Sequence, residues 1–478
     1  MYCFKRCLAF ILVALSVPAF ASELPHSVQQ MFKQAGVPQS AISIYVSEVG
    51  AKKPIVSVNA DVAMNPASVM KLVTTYAGLE ILGPAFSWQT ILYANGKISD
   101  GVLHGDLIIK GFGDPKLNLE NFWLLTHRLR KTGLKVIAGN LVLDQTHYDV
   151  PNDDPGGFDG ERYRTYNIIP EALLVNYRAS MIVLMPQHEG NSVRAVVDPI
   201  PDSVTLRNNL KLTKGPCVNW RNAIRVDINS PSHERKKFLV ELNGSYSVQC
   251  GKKYYMLGLH DSATYTRDLF KRLWMQQGGL LHGDVVTGEV PEGLSPLKVY
   301  QSPPLSDIIR GVNKFSNNIA ARQLYLTLGA VDQHKEIKFP ATLDNAKLAL
   351  KRWLEAKDLN FPELVIENGS GLSRIERISA NHLGALLNEA FQSPVMPEFI
   401  SSLPIAGTDG TLKERFTDTP VSGLAHMKTG ALNDVRAIAG YMLDKSGRRM
   451  IVVIFINHNK AAQSSDAMDA LLHWVHDL

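Results

Sequence analysis

The chain has 478 residues, 45% of them hydrophobic and 20% charged, as in ordinary globular proteins rather than disordered or collagenous ones. At roughly 150 residues per domain, that length suggests about three domains and several sizeable cores. The formal charge is +5 and falls to +3 once Lys5 and Arg6 are removed, too weak for a nucleic-acid binder; the denser Arg235 to Lys237 stretch reads as solvated surface.

Residues 1–21 read as an export signal. Lys5 and Arg6 precede an apolar run from Leu8 to Val17, and Pro18-Ala19-Phe20-Ala21 supplies an A-x-A-type cleavage site. The run is shorter than the ~20 residues a spanning helix needs, and no later segment is apolar enough to cross a membrane. Cys3 and Cys7 lack the small preceding residues of a lipid anchor. The mature chain is thus expected to be soluble and periplasmic or otherwise extracytoplasmic. It keeps two cysteines, Cys217 and Cys250. An even pair in an exported protein favours a disulfide, with two buried thiols as the alternative.

A helix is expected around Val28 to Gln34, then strands at Ala41 to Val49 and Ile55 to Asn59. Asn65 suits a helix N-cap and Pro66 the first helical position, so a helix should run through Ser68 and Lys71 to Leu82, where Gly83-Pro84 stops it. From Ser87 short strands alternate with turns, including Leu107 to Ile109 and Leu141 to Leu143. Asp114, between Gly and Pro neighbours, serves a turn. From Ala179 to Cys250 the pattern is β-rich, with Met181 to Met185, Ser192 to Val197 and Phe238 to Leu242. Helical periodicity returns at Thr266 to Gln277 and dominates at Leu305 to Leu328, Thr342 to Lys357 and Ala380 to Phe391. Strands at Ala437 to Leu443 and Met450 to Ile456 precede a last helix, Ala462 to His476. The layout predicts one α/β (α+β) domain built from both ends of the chain and interrupted by a largely β insertion.

Three short motifs carry chemistry. Ser68 and Lys71 are spaced i, i+3, which puts both on one helix face. A serine hydroxyl needs a base to take its proton; a lysine can do so only when neutral, which burial or a second cation would achieve. The helix dipole would favour negative charge on the Ser68 oxygen. Ser295-Pro296-Leu297-Lys298 repeats the spacing in a Gly/Pro-rich linker without helical periodicity and is set aside. Ser316-Asn317-Asn318 is an S-x-N triplet inside the Leu305 helical region, preferred to Ser57-Val58-Asn59 and Ser379-Ala380-Asn381. Lys428-Thr429-Gly430 precedes two strands and the last helix, so it suits an edge strand offering a cation and a hydroxyl to a substrate carboxylate. Its rival Lys131-Thr132-Gly133 reads as a glycine-closed helix end. The same trio, in this order, marks penicillin-binding proteins and class A β-lactamases. His473 and His476 lack the further ligands a metal site needs, so no metal or cofactor is expected.

The chain resembles the class C low-molecular-mass penicillin-binding proteins, D-alanyl-D-alanine carboxypeptidases and endopeptidases, over nearly its whole mature length. Besides the three motifs, the resemblance rests on Gly111-Phe112-Gly113-Asp114-Pro115, Val312-Asn313-Lys314-Phe315, Asn368-Gly369-Ser370-Gly371-Leu372-Ser373-Arg374 and Leu403-Pro404-Ile405-Ala406-Gly407-Thr408-Asp409-Gly410-Thr411. It implies a serine transpeptidase/β-lactamase-like domain at 22–86 and 290–478, a second domain at 87–178 and 254–289, and a β-rich third at 179–253 holding Cys217 and Cys250. It implies acyl transfer to water on peptidoglycan stem peptides and cross-links, and covalent capture of β-lactams. Ser68 would be the nucleophile, Lys71 its base, Ser316 a proton relay and Asn318 a positioning group. Lys428, Thr429 and Gly430 would receive the terminal carboxylate, and the N–H groups of Ser68 and Ala431 would form an oxyanion hole, typically worth ~3–4 kcal/mol per donor. Arg374, helped by Asn433, would meet the side-chain carboxylate of a stem-peptide diamino acid, and Glu161 its ammonium. Three departures stand out: Ala431 follows K-T-G where Ser or Thr is frequent, Asn368 stands where Asp is common, and Glu161 takes the place of an Asp. A class A-type β-lactamase would not need the 248 positions from Ser68 to Ser316, and a silent peptidoglycan-binding scaffold would not need the complete motif set.

Overall fold

A computed structural model describes residues 24–478 apart from 152, 188–190, 199–202, 230–237, 260 and 333. The expected signal segment, 1–21, and the Arg235 to Lys237 stretch lie outside the described residues. The two ends of the chain meet in one antiparallel sheet. Its order is Ala425–Leu432, Val435–Leu443, Arg449–Asn457, Ile42–Glu48, Val56–Val58, with Ile42 opposite Ile456. The Arg449–Asn457 strand is apolar without interruption from Met450 to Ile456 because both its faces are covered there. Ile451, Val453 and Phe455 pack against the helices Lys71–Leu82, Leu305–Lys314, Asn318–Leu328, Leu343–Ala356 and Ala380–Gln392. Val452, Ile454 and Ile456 point the other way, into a core shared with the first and last helices, His26–Gln34 and Ser465–His476.

Between the two halves lie two further sheets. One runs Leu280–Leu281, Val136–Ile137, Val102–Gly111, Gln89–Ser99, Pro296–Gln301, with Leu141–Asp144 and Val285–Thr287 attached. Its Pro296–Gln301 strand pairs with Gln89–Ser99, so this sheet reaches past the boundary expected at 289/290. Asp114 caps a turn beside it, its Oδ1 accepting the Lys116 N–H at 2.7 Å. The other sheet has six strands between Ala179 and Gly258, with its own core of Ile182, Leu184, Val240, Leu242, Tyr246 and neighbours. Cys217 and Cys250 are bonded there, closing a loop of sequence separation 33. Among the described residues, no helix is long and apolar enough to cross a membrane.

Two expected helices differ in the structure. The first begins at Lys71, not at Pro66. Asn65 does accept a backbone N–H, that of Ala67 at 2.8 Å, but Ala67 has φ 47, a left-handed backbone that an α-helix does not tolerate. Ala67–Met70 is a single 3₁₀ turn feeding the α-helix. The second is the Leu305 to Leu328 region, which is two helices broken at Phe315-Ser316-Asn317. Both helices bury apolar faces, so the hydrophobic pattern runs through the break. Asn317 caps the second one, accepting the Ala320 N–H at 3.1 Å.

Candidate active site

The Ser68 turn is formed by close approach of two glycines. A Cβ on Gly371 would stand 1.9 Å from the Ala67 carbonyl oxygen, and one on Gly430 would stand 2.7 Å from the Pro66 oxygen and 3.1 Å from the Ser68 nitrogen. Only residues without Cβ let the 368–374 loop and the Ala425–Leu432 strand close on this turn. Asn65 ties it further. Its side chain donates to the Ser373 carbonyl at 2.9 Å, and its own N–H and carbonyl bond the Asn457 amide at 2.8 and 3.0 Å. A 3₁₀ turn stacks residues i and i+3 even more directly than an α-helix, so Ser68 still faces Lys71.

Lys71 has no solvent exposure. Its Nζ meets three oxygens: Ser68 Oγ at 2.9 Å, Asn318 Oδ1 at 2.6 Å and the Ser370 carbonyl. A neutral amine has two N–H donors and one lone pair. Asn318 Oδ1 and the Ser370 carbonyl can only accept, so in the neutral form they would take the two N–H groups and the lone pair would face the Ser68 hydroxyl. Burial lowers the Lys71 ammonium well below the ordinary lysine range, and the nearby positive charge of Lys428 lowers it further.

Ser316 stands in the helix break with φ 56, a strained position for a non-glycine residue. The break is held from behind. The Asn313 amide donates to Thr75 Oγ1 at 3.1 Å and Ser402 Oγ at 2.8 Å, and the Lys314 ammonium reaches the Leu403 carbonyl at 2.8 Å and Asp409 Oδ2 at 2.6 Å. Lys428 Nζ donates to Ser316 Oγ at 2.9 Å and to the Thr429 carbonyl at 2.6 Å. It too is fully buried, and burial pulls it down to about 7. Thr429 Oγ1 shares a hydrogen bond with Thr411 Oγ1 at 2.8 Å.

The Ala425–Leu432 strand is the edge of its sheet. Its outer side bonds the 404–406 segment through Met427 N–H and the Ala425 carbonyl, both at 2.9 Å. By the two-residue alternation of an antiparallel strand, the Ala431 N–H points to that same outer side. The chemistry-bearing residues of all three motifs therefore converge: the turn before a helix brings Ser68 and Lys71, a helix break brings Ser316 and Asn318, and an edge strand brings Lys428, Thr429, Gly430 and Ala431. The Ser295 copy of the first motif leads into the Pro296–Gln301 strand, which pairs with Gln89–Ser99 in another sheet.

The rim is arranged differently. A cleft of 470 Å³ is lined by Phe158, Arg322, Glu367, Asn368, Leu372 and Arg374, among others, and by none of the residues of the three motifs. The Arg374 guanidinium lies over the Phe158 ring, 4.6 Å from its centroid, and its Nη1 pairs with Asp434 at 3.0 Å. Asn433 sits beside Asp434 in the exposed turn after the edge strand. Neither Asn433 nor Glu161 lines the cleft; the Glu161 carboxylate pairs with Arg164 at 3.2 Å. The structure thus sets Arg374 at the cleft but does not bring the other two to it. In that stretch the exposed Asp159 accepts from Tyr166 Oη at 2.9 Å and from Asn167 Nδ2 at 2.7 Å.

The amino-acid pattern gave no role at the site to Asn457, the Ser370 carbonyl, Thr411 or Glu376, and marked Asn65 only as a helix N-cap. Gly369-Ser370-Gly371 was the available signal for Ser370: two glycines flanking one residue mark backbone that packs closely on something. Among the described residues, no cluster of three or more His, Cys, Asp or Glu could hold a metal ion.

Comparison with known proteins adds an independent line. The profile of the family described as "D-Ala-D-Ala carboxypeptidase 3 (S13) family" matches residues 24–478. The D-alanyl-D-alanine carboxypeptidase DacB of Haemophilus influenzae is 25% identical over 453 residues, covering 93% of this chain and 90% of that protein. A D-alanyl-D-alanine carboxypeptidase of Actinomadura sp. is 24% identical over 467 residues, covering 92% and 82%. The crystal structure of penicillin binding protein 4 from Haemophilus influenzae superposes with a TM-score of 0.75 at 23% identity, covering 94% of this chain and 99% of that one, which shows a shared fold.

Proposed function

Because the chain belongs to the D-Ala-D-Ala carboxypeptidase 3 (S13) family, we propose that it hydrolyses D-Ala-D-Ala bonds of peptidoglycan stem peptides, and the D-Ala bonds of their cross-links, through an acyl-enzyme on Ser68. The observation that carries this reading is the Lys71 amine, buried, 2.9 Å from Ser68 Oγ and held by the acceptors Asn318 Oδ1 and the Ser370 carbonyl. The Ser68 proton passes to Lys71 Nζ as Oγ bonds the carbonyl carbon of the penultimate D-alanine. The N–H groups of Ser68 and Ala431 receive the oxyanion, where preorganised donors act most strongly. The substrate's terminal carboxylate rests on Lys428 and Thr429. Collapse of the intermediate breaks the C–N bond, and the proton held by Lys71 reaches the leaving amine through Ser316. Water then attacks the ester, giving a proton to Lys71. The bond to Ser68 breaks, and Ser68 recovers its proton.

A β-lactam enters the same sequence, but its opened amine stays tethered and the ester persists. Arg374 recognises a side-chain carboxylate on the diamino acid of the stem peptide, and its place at the cleft beside Phe158 supports that role. The export signal expected at 1–21 puts the enzyme outside the cytoplasm, with its substrate. The test is labelling by a fluorescent penicillin alongside digestion of purified peptidoglycan, read by mass spectrometry. Wild type and Ser295→Ala take up the label, release D-alanine and open cross-linked dimers; Ser68→Ala does none of these. Stoichiometric labelling of folded Ser68→Ala would sink the assignment.

A further inference from the structure

Glu376 is a fully buried carboxylate behind the active site. One of its oxygens accepts three successive backbone N–H groups, from Glu367 at 3.1 Å, Asn368 at 3.0 Å and Gly369 at 3.2 Å. Such a nest of N–H groups is built for an anion. Its other oxygen, Oε2, meets no donor among the described residues, so the carboxylate is turned over to loop and charge rather than to a salt bridge. The loop it grips carries the Ser370 carbonyl. Every backbone polar group of Gly369 and Ser370 is engaged. Gly369 N–H goes to Glu376, and the Gly369 carbonyl accepts from Thr74 Oγ1 at 2.6 Å. Ser370 N–H goes to Asn368 Oδ1 at 3.0 Å, and the Ser370 carbonyl accepts from Lys71.

Charge leads to the same residue. Lys428 from the edge strand and Arg322 from the Asn318–Leu328 helix both push the Lys71 ammonium toward losing its proton, and Glu376 pushes it the other way. Burial raises the Glu376 carboxyl above the ordinary carboxylate range, and the three N–H groups and Lys71 offset only part of that rise. Arg322 and the Tyr325 hydroxyl, both on the Asn318–Leu328 helix, also feel the Glu376 charge. Burial and neighbouring positive charge both weaken an amine as a base, and proton abstraction weakens as basicity falls.

We propose that Glu376 is a positioning residue for the acylation step: its buried carboxylate, seated on three successive N–H groups, fixes the loop whose Ser370 carbonyl orients Lys71, and it is the negative charge set behind that amine. The inference rests on the reading of Lys71 as the base. Geometry and charge are separable by substitution. Glu376→Gln keeps an acceptor for the three N–H groups and deletes the charge. Glu376→Asp keeps the charge and shortens the reach. Glu376→Ala deletes both.

The experiment is the pH profile of penicillin acylation for the wild type and these variants, together with the titration of the Lys71 Cε resonance by NMR, assigned by its loss in Lys71→Met. Glu376→Gln moves the acid limb and the Lys71 titration about one pH unit toward acid and lowers the plateau several-fold. Glu376→Asp leaves the limb in place and lowers the plateau. Glu376→Ala moves the limb and lowers the plateau by about tenfold or more; if it does not fold, the other two decide. A Lys71 titration that is the same in wild type and Glu376→Gln overturns the proposal, as does an equal loss in all variants with an unmoved limb. Wild type that is not acylated at Ser68 would refute the functional reading, whereas wild type acylated at Ser68 with a Lys71 titration that does not move in Glu376→Gln would refute the Glu376 inference alone.

Discussion

The sheet formed by the two chain ends and the six-stranded sheet of the insertion bury their strands in opposite ways. In Arg449–Asn457 every residue from Met450 to Ile456 is buried; in Val204–Thr213 only Leu210 is. The first sheet is sandwiched between helices, and Lys71 and Lys428 lie at its edge without solvent exposure. The second has a wet face on which Arg207 pairs with Glu241 and Arg225 with Asp227, contacts of small energetic weight. It is closed instead by the Cys217–Cys250 bond. A lysine can become a base only where water is excluded and its remaining hydrogen bonds are supplied by the protein. The layered sheet meets that condition and the one-sided sheet does not.

The largest expected effect falls on the layered sheet. Lys71→Met deletes the base while roughly keeping its volume, and we expect acylation by a fluorescent penicillin to drop about 10³-fold at neutral pH, with circular dichroism unchanged. Near-normal acylation would hand the base role to another group, Lys428 first. An intermediate effect belongs to the rim, where Arg374 is half-exposed and already paired with Asp434. On a peptide with a side-chain carboxylate, Arg374→Ala should lower kcat/KM about tenfold, the scale of one charge-assisted hydrogen bond. A plain-lysine peptide and penicillin should be barely affected. Equal losses on both peptides would assign Arg374 to the architecture it shares with Phe158 and Asp434. The smallest effect on chemistry belongs to the insertion. Removing the disulfide by Cys217→Ser with Cys250→Ser should leave the acylation rate as it was while costing about 3–4 kcal/mol of stability in denaturant unfolding. A fall in acylation rate would mean that the two sheets are coupled more tightly than their separate cores suggest.

Much of the framework was legible before any coordinates. The last two long strands were expected at Ala437 to Leu443 and Met450 to Ile456, and stand at Val435–Leu443 and Arg449–Asn457. Continuous apolar runs survive in sequence when both faces of a strand are buried. The three motifs were legible as well, because each is a short-range spacing of rare chemistry. The breaks were not. Hydrophobic periodicity passes through Phe315-Ser316-Asn317 because the helices on either side bury apolar faces, and only the capping Asn317 hints at the interruption. Likewise Asn65-Pro66 reads as a helix start, yet the left-handed Ala67 intervenes, imposed by Gly371 and Gly430 pressing on the turn from distant parts of the chain.

Residue types and local spacing thus determined which groups could react: a serine with a lysine three positions on, a second serine with an asparagine, and a lysine beside a threonine and a glycine. Tertiary structure alone decided what those groups are. Burial from five helices and a sheet lowers Lys71, and Asn318, 247 positions away, together with the Ser370 carbonyl, 299 positions away, orients it. Glu376 supplies the opposing charge, and Glu161 is turned to Arg164 rather than to the cleft. A pKa and a lone-pair direction depend on excluded water and on acceptors brought from hundreds of residues away, and no local pattern encodes either.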